Sequence, residues 1–140
     1  MADLSKKKIL IIDDEEKFCQ MVKKNLEKEG PYDVRIETKG SKALETIETL
    51  KPDLILMDVL MPEMRGQEIA YKMLQNDKLK KIPVIYLTAT VEKGQREAFG
   101  GIIDGMPFKL QPVLSKPVNT KTLMEAIQKN LPGAFPANSK

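Results

Sequence analysis

Short apolar runs alternate along this chain with segments in which apolar residues recur every three or four positions. Runs at residues 9–12, 54–57, 84–87 and 113–115 are apolar almost throughout, which is typical of strands covered on both faces. Residues 33–37 instead alternate apolar with charged side chains, as expected of an edge strand with one face in water. The pattern therefore predicts five strands.

The segments between the strands have helical periodicity. Residues 15–29 place Phe18, Val22 and Leu26 on one face of a predicted helix. Further helices are predicted at residues 41–50, from 66 to about 74, at about 92–99, and from Asn119 or Thr120 to 131. Because strands alternate with helices, right-handed crossovers should join neighbouring strands into a parallel sheet. The predicted fold class is α/β.

The length and composition indicate a single domain with little net charge. Of 140 residues, 41% are apolar and 31% charged, and the net charge is +3. We expect a single domain at residues 1–131 and a flexible C-terminal tail at 132–140, which has little to bury. The basic residues are spread through the chain, apart from a run at 6–8 that fits a solvated flank. We therefore expect no nucleic-acid partner.

Histidine is absent, and Cys19 is the single cysteine. The lack of histidine excludes Ser-His and Cys-His catalysis, histidine-ligated zinc and a role as a phosphohistidine carrier. A lone cysteine forms no internal disulfide, so we expect Cys19 to pack as a thiol within its helix. The chain has no signal-peptide pattern and no membrane-spanning apolar run, so we expect a cytoplasmic protein with no membrane contact.

Polar residues stand at the ends of four predicted strands. Asp13 and Asp14 end the first, Asp58 the third, Thr88 the fourth, and Lys116 follows the last. Ligands of parallel α/β sheets bind beyond these carboxyl ends, so the five side chains should converge. Three close carboxylates repel one another unless a cation joins them, and their hard oxygens suit Mg²⁺. Asp58 is then best placed as a nucleophile toward phosphorus, with Thr88 and Lys116 as donors to phosphoryl oxygens.

Each of these residues also has a purely structural interpretation. An acid after a strand is often the N-cap of the next helix, and Asp14 fits that role. Thr88 could cap a helix, and Lys116-Pro117 could form a plain turn. The joint occurrence of all five, each at its own strand end and in this order, favours the functional interpretation.

Four motifs follow one another in the chain: Ile11-Ile12-Asp13-Asp14-Glu15, Asp58-Val59-Leu60-Met61-Pro62 with Gly66, Leu87-Thr88-Ala89, and Lys116-Pro117. At these motifs the chain resembles the receiver domain of two-component response regulators, over about residues 7–131. The resemblance implies a flavodoxin-like, doubly wound, five-stranded parallel sheet. Its strand order would be 2-1-3-4-5, in three α/β/α layers.

The resemblance also implies a phosphorylation-dependent signalling switch. Asp58 would accept a phosphoryl group from a phosphohistidine on a sensor histidine kinase or a histidine phosphotransfer protein. The Mg²⁺ ion would be held by Asp13, Asp14, Asp58 and the backbone carbonyl of Leu60. Such a protein would be a phospho-acceptor with only self-phosphorylation and self-dephosphorylation chemistry, not an enzyme acting on other substrates.

The resemblance further implies that Thr88 and Lys116 bind the phosphoryl oxygens. They would transmit the effect of phosphorylation to the face of the fourth and fifth strands. A downstream protein target is expected at that face. No DNA-binding or catalytic module is recognisable in the sequence, so we expect output through protein contacts or phosphoryl relay. The alternative is a receiver fragment of a longer regulator whose effector domain was removed.

Two features depart from the family pattern. The position three residues before Lys116, often aromatic in the family, is Val113, which disfavours a rotating-ring switch. In addition, 28 residues separate Thr88 from Lys116, more than the family usually has. The extra residues, 100–108, are rich in glycine and also apolar. Two interpretations stay open for them: a modified partner or dimer surface, or a segment that folds back over the core.

Two other classes of protein share parts of this pattern. A phosphatase with an aspartyl nucleophile also uses Mg²⁺, threonine and lysine, but its first strand ends in Asp-x-Asp rather than in adjacent acids. A flavodoxin-like flavin binder would have a neutral phosphate loop rich in hydroxyls, whereas the corresponding loop here is acidic. Both are therefore weaker interpretations than the receiver domain.

Overall fold

The computed structural model describes residues 6–58, 66–88, 101–103, 106–108, 113–115 and 119–131. The strands are β1 (Lys7–Ile12), β2 (Tyr32–Glu37), β3 (Leu54–Asp58), β4 (Val84–Thr88), β5 (Gly101–Ile103), β6 (Met106–Phe108) and β7 (Val113–Ser115). The helices are α1 (Glu16–Glu29), α2 (Ala43–Leu50), α3 (Gly66–Leu74) and α4 (Thr120–Asn130). None of these helices is both long and apolar enough to cross a membrane.

The main sheet has five parallel strands in the order β2-β1-β3-β4-β7. Because β7 is the fifth strand of this sheet, the order is the predicted 2-1-3-4-5. The carboxyl ends of all five strands therefore lie along one edge, as the parallel arrangement requires.

Two buried clusters cover the two faces of the sheet, which confirms the three-layer prediction. One cluster joins alternate strand residues such as Leu10 and Ile55 to the apolar sides of α2 and α3. The other joins the remaining alternate residues, such as Ile9 and Leu54, to α1 and α4. Both faces of β1 and β3 are thus buried, which explains why their sequences are apolar without interruption.

The edge strand and the start of α4 follow the sequence pattern closely. In β2, Val34 is buried and Arg35 is exposed, as its alternating pattern predicts. The strand begins one residue earlier than predicted, at Tyr32, which is only 1% exposed. Helix α4 begins as predicted: Asn119 is its N-cap, and the Asn119 Oδ1 atom accepts a hydrogen bond of 2.7 Å from the Thr122 N–H.

The start of α2 differs from the prediction. A 3-10 turn occupies Gly40–Lys42, and the α-helix begins only at Ala43. Gly40 is buried, and the Lys42 N–H donates to the Lys39 carbonyl in this tighter turn. Helix starts often tighten in this way because the first N–H groups of an α-helix lack partners within it.

The long segment before the last strand contains an antiparallel hairpin. Strands β5 and β6 pair with each other, with Ile103 opposite Met106, and form a separate two-stranded sheet. This backbone arrangement was not predicted. The side chains of this segment lie outside the described residues, as do the predicted helix at 92–99 and the predicted tail at 132–140.

Candidate metal site

The first aspartate of the site is held firmly where β1 leaves the sheet. Asp13 follows β1 directly and is fully buried. Its N–H donates to the Glu37 carbonyl of β2 at 3.1 Å, and its Oδ1 atom accepts from the Glu15 N–H at 2.9 Å. Its carbonyl accepts from the Cys19 thiol, with 3.4 Å between Sγ and oxygen. The backbone and carboxylate of Asp13 are therefore fixed from three directions.

The second aspartate is exposed to solvent at the start of the turn into α1. The N-cap of α1 is Glu15, whose backbone is extended, with φ −90° and ψ 95°. The alternative in which Asp14 caps the helix is therefore wrong. Because Asp14 is exposed, its carboxylate is available to a ligand at the carboxyl end of the sheet.

The third aspartate lies beside the first because their strands are neighbours. Ile12 of β1 pairs with Met57 of β3, so the next residues, Asp13 and Asp58, follow in matching positions. Asp58 is the last residue of β3 and is only 6% exposed. Two acids at the ends of adjacent buried strands are what the sequence pattern predicted.

The carboxylates of Asp13, Asp14 and Asp58 converge. Each offers one oxygen, and these three oxygens lie within 4.8 Å of one another. At that separation, ionised carboxylates repel strongly, more so because two of them are buried. A cation bound among the three oxygens would offset part of this repulsion.

Mg²⁺ fits this donor set. The ion prefers hard oxygen ligands, takes a small number of carboxylates, and completes its octahedron with water and phosphate oxygens. An exposed carboxylate beside two buried ones leaves one side of the cluster open to such further ligands. Soft or nitrogen-preferring metals would find no histidine in the chain and no cysteine in the cluster.

The remaining predicted residues are placed to different extents. Thr88 is the last residue of β4, and its neighbour Leu87 pairs with Asp58, so the Thr88 backbone lies one position beyond Asp58 along the sheet edge. Thr88 itself pairs with Ser115 of β7, which immediately precedes Lys116 in sequence. The Thr88 side chain, Lys116 and the Leu60 carbonyl lie outside the described residues.

Two contributions to the site were not predicted from sequence. The Glu37 carbonyl and the Cys19 thiol both bind the Asp13 backbone. Cys19 was expected only to pack, and it is indeed fully buried. Cys19 lies one helical turn beyond the N-cap Glu15, but this spacing alone does not indicate which backbone group the thiol binds.

Comparison with known proteins agrees with the geometry. A family model described as "Response regulator receiver domain" matches residues 9–128. The chain is 37% identical, over 82% of its length, to the alkaline phosphatase synthesis transcriptional regulatory protein PhoP of Bacillus subtilis, and spans 46% of that protein. It is 32% identical, over 89% of its length, to the polar-differentiation response regulator DivK of Brucella anthropi, and spans 96% of it.

A solved structure shows the same fold. The chemotaxis protein CheY4 of Vibrio cholerae superimposes with a TM-score of 0.75 at 29% identity, covering 90% of this chain and 99% of that one. The sheet order, the acidic cluster at its carboxyl edge and the family match lead to one conclusion. The chain belongs to the response regulator receiver domain family, the receiver component of two-component signalling.

Proposed function

We propose that Asp58 is the phospho-acceptor of this receiver domain. The donor would be a phosphohistidine on a sensor histidine kinase or on a histidine phosphotransfer protein. The proposal rests above all on the convergence of three carboxylate oxygens within 4.8 Å at the carboxyl edge of the sheet. A pure packing role would not bring together three acids, two of them buried, beside the ends of apolar strands.

The transfer is a displacement at phosphorus. A carboxylate oxygen of Asp58 attacks, a new O–P bond forms, and the P–N bond of the phosphohistidine breaks with its electron pair passing to the imidazole nitrogen. The product is an acyl phosphate, which water can later hydrolyse. The protein therefore acts as a phospho-acceptor that assists its own phosphorylation and dephosphorylation rather than as an enzyme for other substrates.

The residues around Asp58 have separate roles in this proposal. Asp13, Asp14, Asp58 and the Leu60 backbone carbonyl hold Mg²⁺. The bound ion offsets the negative charge that would otherwise repel a phosphoryl group. Thr88 donates its hydroxyl to one phosphoryl oxygen, and Lys116 donates its ammonium to another.

Output in this proposal passes through protein contacts at the face of β4 and β7. Support comes from the pairing of Thr88, the last residue of β4, with Ser115 of β7, the residue that precedes Lys116 in sequence. A downstream protein target recognises the face after phosphorylation. We place the protein in the cytoplasm, where kinase domains and targets of such switches meet.

Intact-mass measurement tests the acceptor. Wild-type protein treated with a small phosphodonor and Mg²⁺ should gain one phosphoryl group, and Asp58→Asn should gain none. Asp53→Asn is the matched control: Asp53 directly precedes the opposite end of β3, where its Oδ2 atom accepts from the Lys8 N–H at 2.8 Å. The control should be labelled like the wild type. An unchanged adduct in Asp58→Asn would refute the assignment.

A further inference from the structure

The bond between Cys19 and Asp13 occupies an unusual place in the sheet. Along the β1–β2 ladder, the Asp13 N–H donates to the Glu37 carbonyl of β2. In a regular parallel ladder the next bond would run back from the N–H of Lys39 to the Asp13 carbonyl. Here the Lys39 N–H donates instead to Oε2 of Glu37 at 3.0 Å. The ladder therefore ends one bond early, at the residue that begins the acidic cluster.

The thiol of Cys19 takes the place of that missing donor. Its Sγ lies 3.4 Å from the Asp13 carbonyl oxygen, a normal distance for a bond donated by a thiol. The Cys19 N–H meanwhile donates to the Glu15 carbonyl within the start of α1. One residue thus ties the first turn of the helix to the carbonyl of a fully buried aspartate.

We propose that Cys19 is a positioning residue for Mg²⁺ binding, holding the Asp13 backbone at the end of the truncated ladder through its thiol. This inference rests on the proposed function, because it assigns a supporting group to the metal site. Groups that orient a ligating carboxylate from outside the coordination shell commonly change metal affinity when they are removed. A thiol is a weak donor, so its effect falls at the lower end of the usual range.

The test compares Mg²⁺ dissociation constants, measured by titration calorimetry, for the wild type and three variants. Cys19→Ala removes the donor, and we expect roughly tenfold weaker Mg²⁺ binding. Cys19→Ser restores a hydroxyl donor, and we expect recovery of more than half of the lost affinity on a logarithmic scale. Val22→Ala is the packing control, because Val22 is buried on the same side of α1, and we expect its Mg²⁺ affinity to equal that of the wild type.

The possible results separate the two proposals. If the wild type binds no Mg²⁺, the proposed metal site itself is refuted, and this inference falls with it. If the wild type binds Mg²⁺ and Cys19→Ala binds it equally well, only the role of Cys19 is refuted. The same holds if Val22→Ala loses as much affinity as Cys19→Ala, because loosened helix packing would then explain both losses. Weaker binding in Cys19→Ala, recovery in Cys19→Ser and no change in Val22→Ala would support the inference.

Discussion

Lys51 adopts a backbone conformation that suits glycine better than lysine. It is the C-cap of α2, with φ 52° and ψ 63°, in the left-handed region. Its N–H donates to the Ile47 carbonyl at 2.8 Å, so the conformation closes the last turn of the helix. A side chain beyond Cα costs about 1 kcal/mol in this region, because Cβ approaches the following carbonyl oxygen.

Replacing Lys51 by glycine should stabilise the protein. We expect Lys51→Gly to raise the free energy of unfolding by about 0.5 kcal/mol, the relief of strain being partly offset by the greater freedom of glycine in the unfolded chain. Urea unfolding measures this change. Lys51→Ala is the control, since it removes the charge but keeps Cβ. A glycine variant no more stable than the alanine variant would contradict the explanation.

The predictability of the site differs from one residue to the next. The convergence of Asp13, Asp14 and Asp58 could be predicted, because a parallel sheet brings the carboxyl ends of neighbouring strands together whatever the loop details. The contact of Cys19 with Asp13 could not be predicted from the sequence. The Asp13 carbonyl receives the thiol because the Lys39 N–H donates to the Glu37 carboxylate instead of to that carbonyl. This side-chain bond forms in the turn after β2. Side-chain bonds of this kind are set by local geometry that no periodicity records.

At the scale of elements, the edge strand β2 is protected by α1. The N–H of Val34 donates to Oε2 of Glu27 at 3.1 Å, and the Val34 carbonyl accepts from the Lys23 Nζ atom at 2.8 Å. Lys23 and Glu27 also pair with each other at 2.9 Å, one helical turn apart. One ion pair therefore occupies both backbone groups that Val34 presents away from β1. Covered edge groups of this kind are unavailable to a strand from another molecule.

This ion pair should make part of the stability depend on pH. Burial disfavours the charged form of Glu27, but the hydrogen bonds from Lys23 and from the Val34 N–H outweigh it and lower the pKa below its usual value. A lowered folded-state pKa means that the stabilisation is present above the unfolded-state pKa and is lost as pH falls through the folded one. The side chains are partly exposed, so we expect only about 0.5 kcal/mol at neutral pH.

Comparing Glu27→Gln with the wild type measures this contribution. The glutamine can still accept from the Val34 N–H but loses the ion pair with Lys23. The difference in unfolding free energy should be clear at about pH 7 and should shrink toward zero at about pH 3. Glu125→Gln, at an exposed position in the middle of α4, is the charge control. A difference that stays constant with pH would show that the charge of Glu27 is not responsible.

Most elements were predicted from their hydrophobic pattern, but the β5–β6 hairpin was not. Strands β1, β3 and β4 come from uninterrupted apolar runs, and only buried parallel strands require such runs in this fold. The β5–β6 hairpin has three residues in each strand, too few for a periodic pattern. Its one sequence signal was Asp104-Gly105 between the strands, a typical two-residue hairpin sequence. The surrounding glycines favoured a loop instead.

At the scale of the whole molecule, the acidic cluster should couple folding to the binding of a cation. Folding brings three carboxylates, two of them buried, within 4.8 Å of one another, whereas the unfolded chain keeps them apart. Their repulsion therefore lowers the stability of the metal-free folded protein. A cation that binds only the folded form adds stability that grows with the logarithm of its concentration. In the proposed function that cation is Mg²⁺, and its binding would offset the repulsion at this edge of the sheet.

Removing one of these charges should make the order of stability of the variant and the wild type depend on Mg²⁺. Without Mg²⁺, in the presence of a chelator, we expect Asp14→Asn to unfold with a free energy about 1 kcal/mol above that of the wild type, because one repelling charge is gone. In excess Mg²⁺ the order should invert, since the wild type gains about 2.7 kcal/mol at a concentration one hundred times the dissociation constant and the variant gains less.

Thermal melts with chelator and with Mg²⁺ measure both effects, and Glu125→Gln is again the control. This variant removes an exposed negative charge outside the acidic cluster, so it should respond to Mg²⁺ as the wild type does. In chelator, raising the ionic strength should reduce the stability difference between Asp14→Asn and the wild type. The reason is that Asp14 is exposed, so salt screens its repulsion. If Asp14→Asn were less stable than the wild type in chelator, repulsion would not dominate this site. Equal gains from Mg²⁺ in both proteins would remove Asp14 from the set of metal ligands.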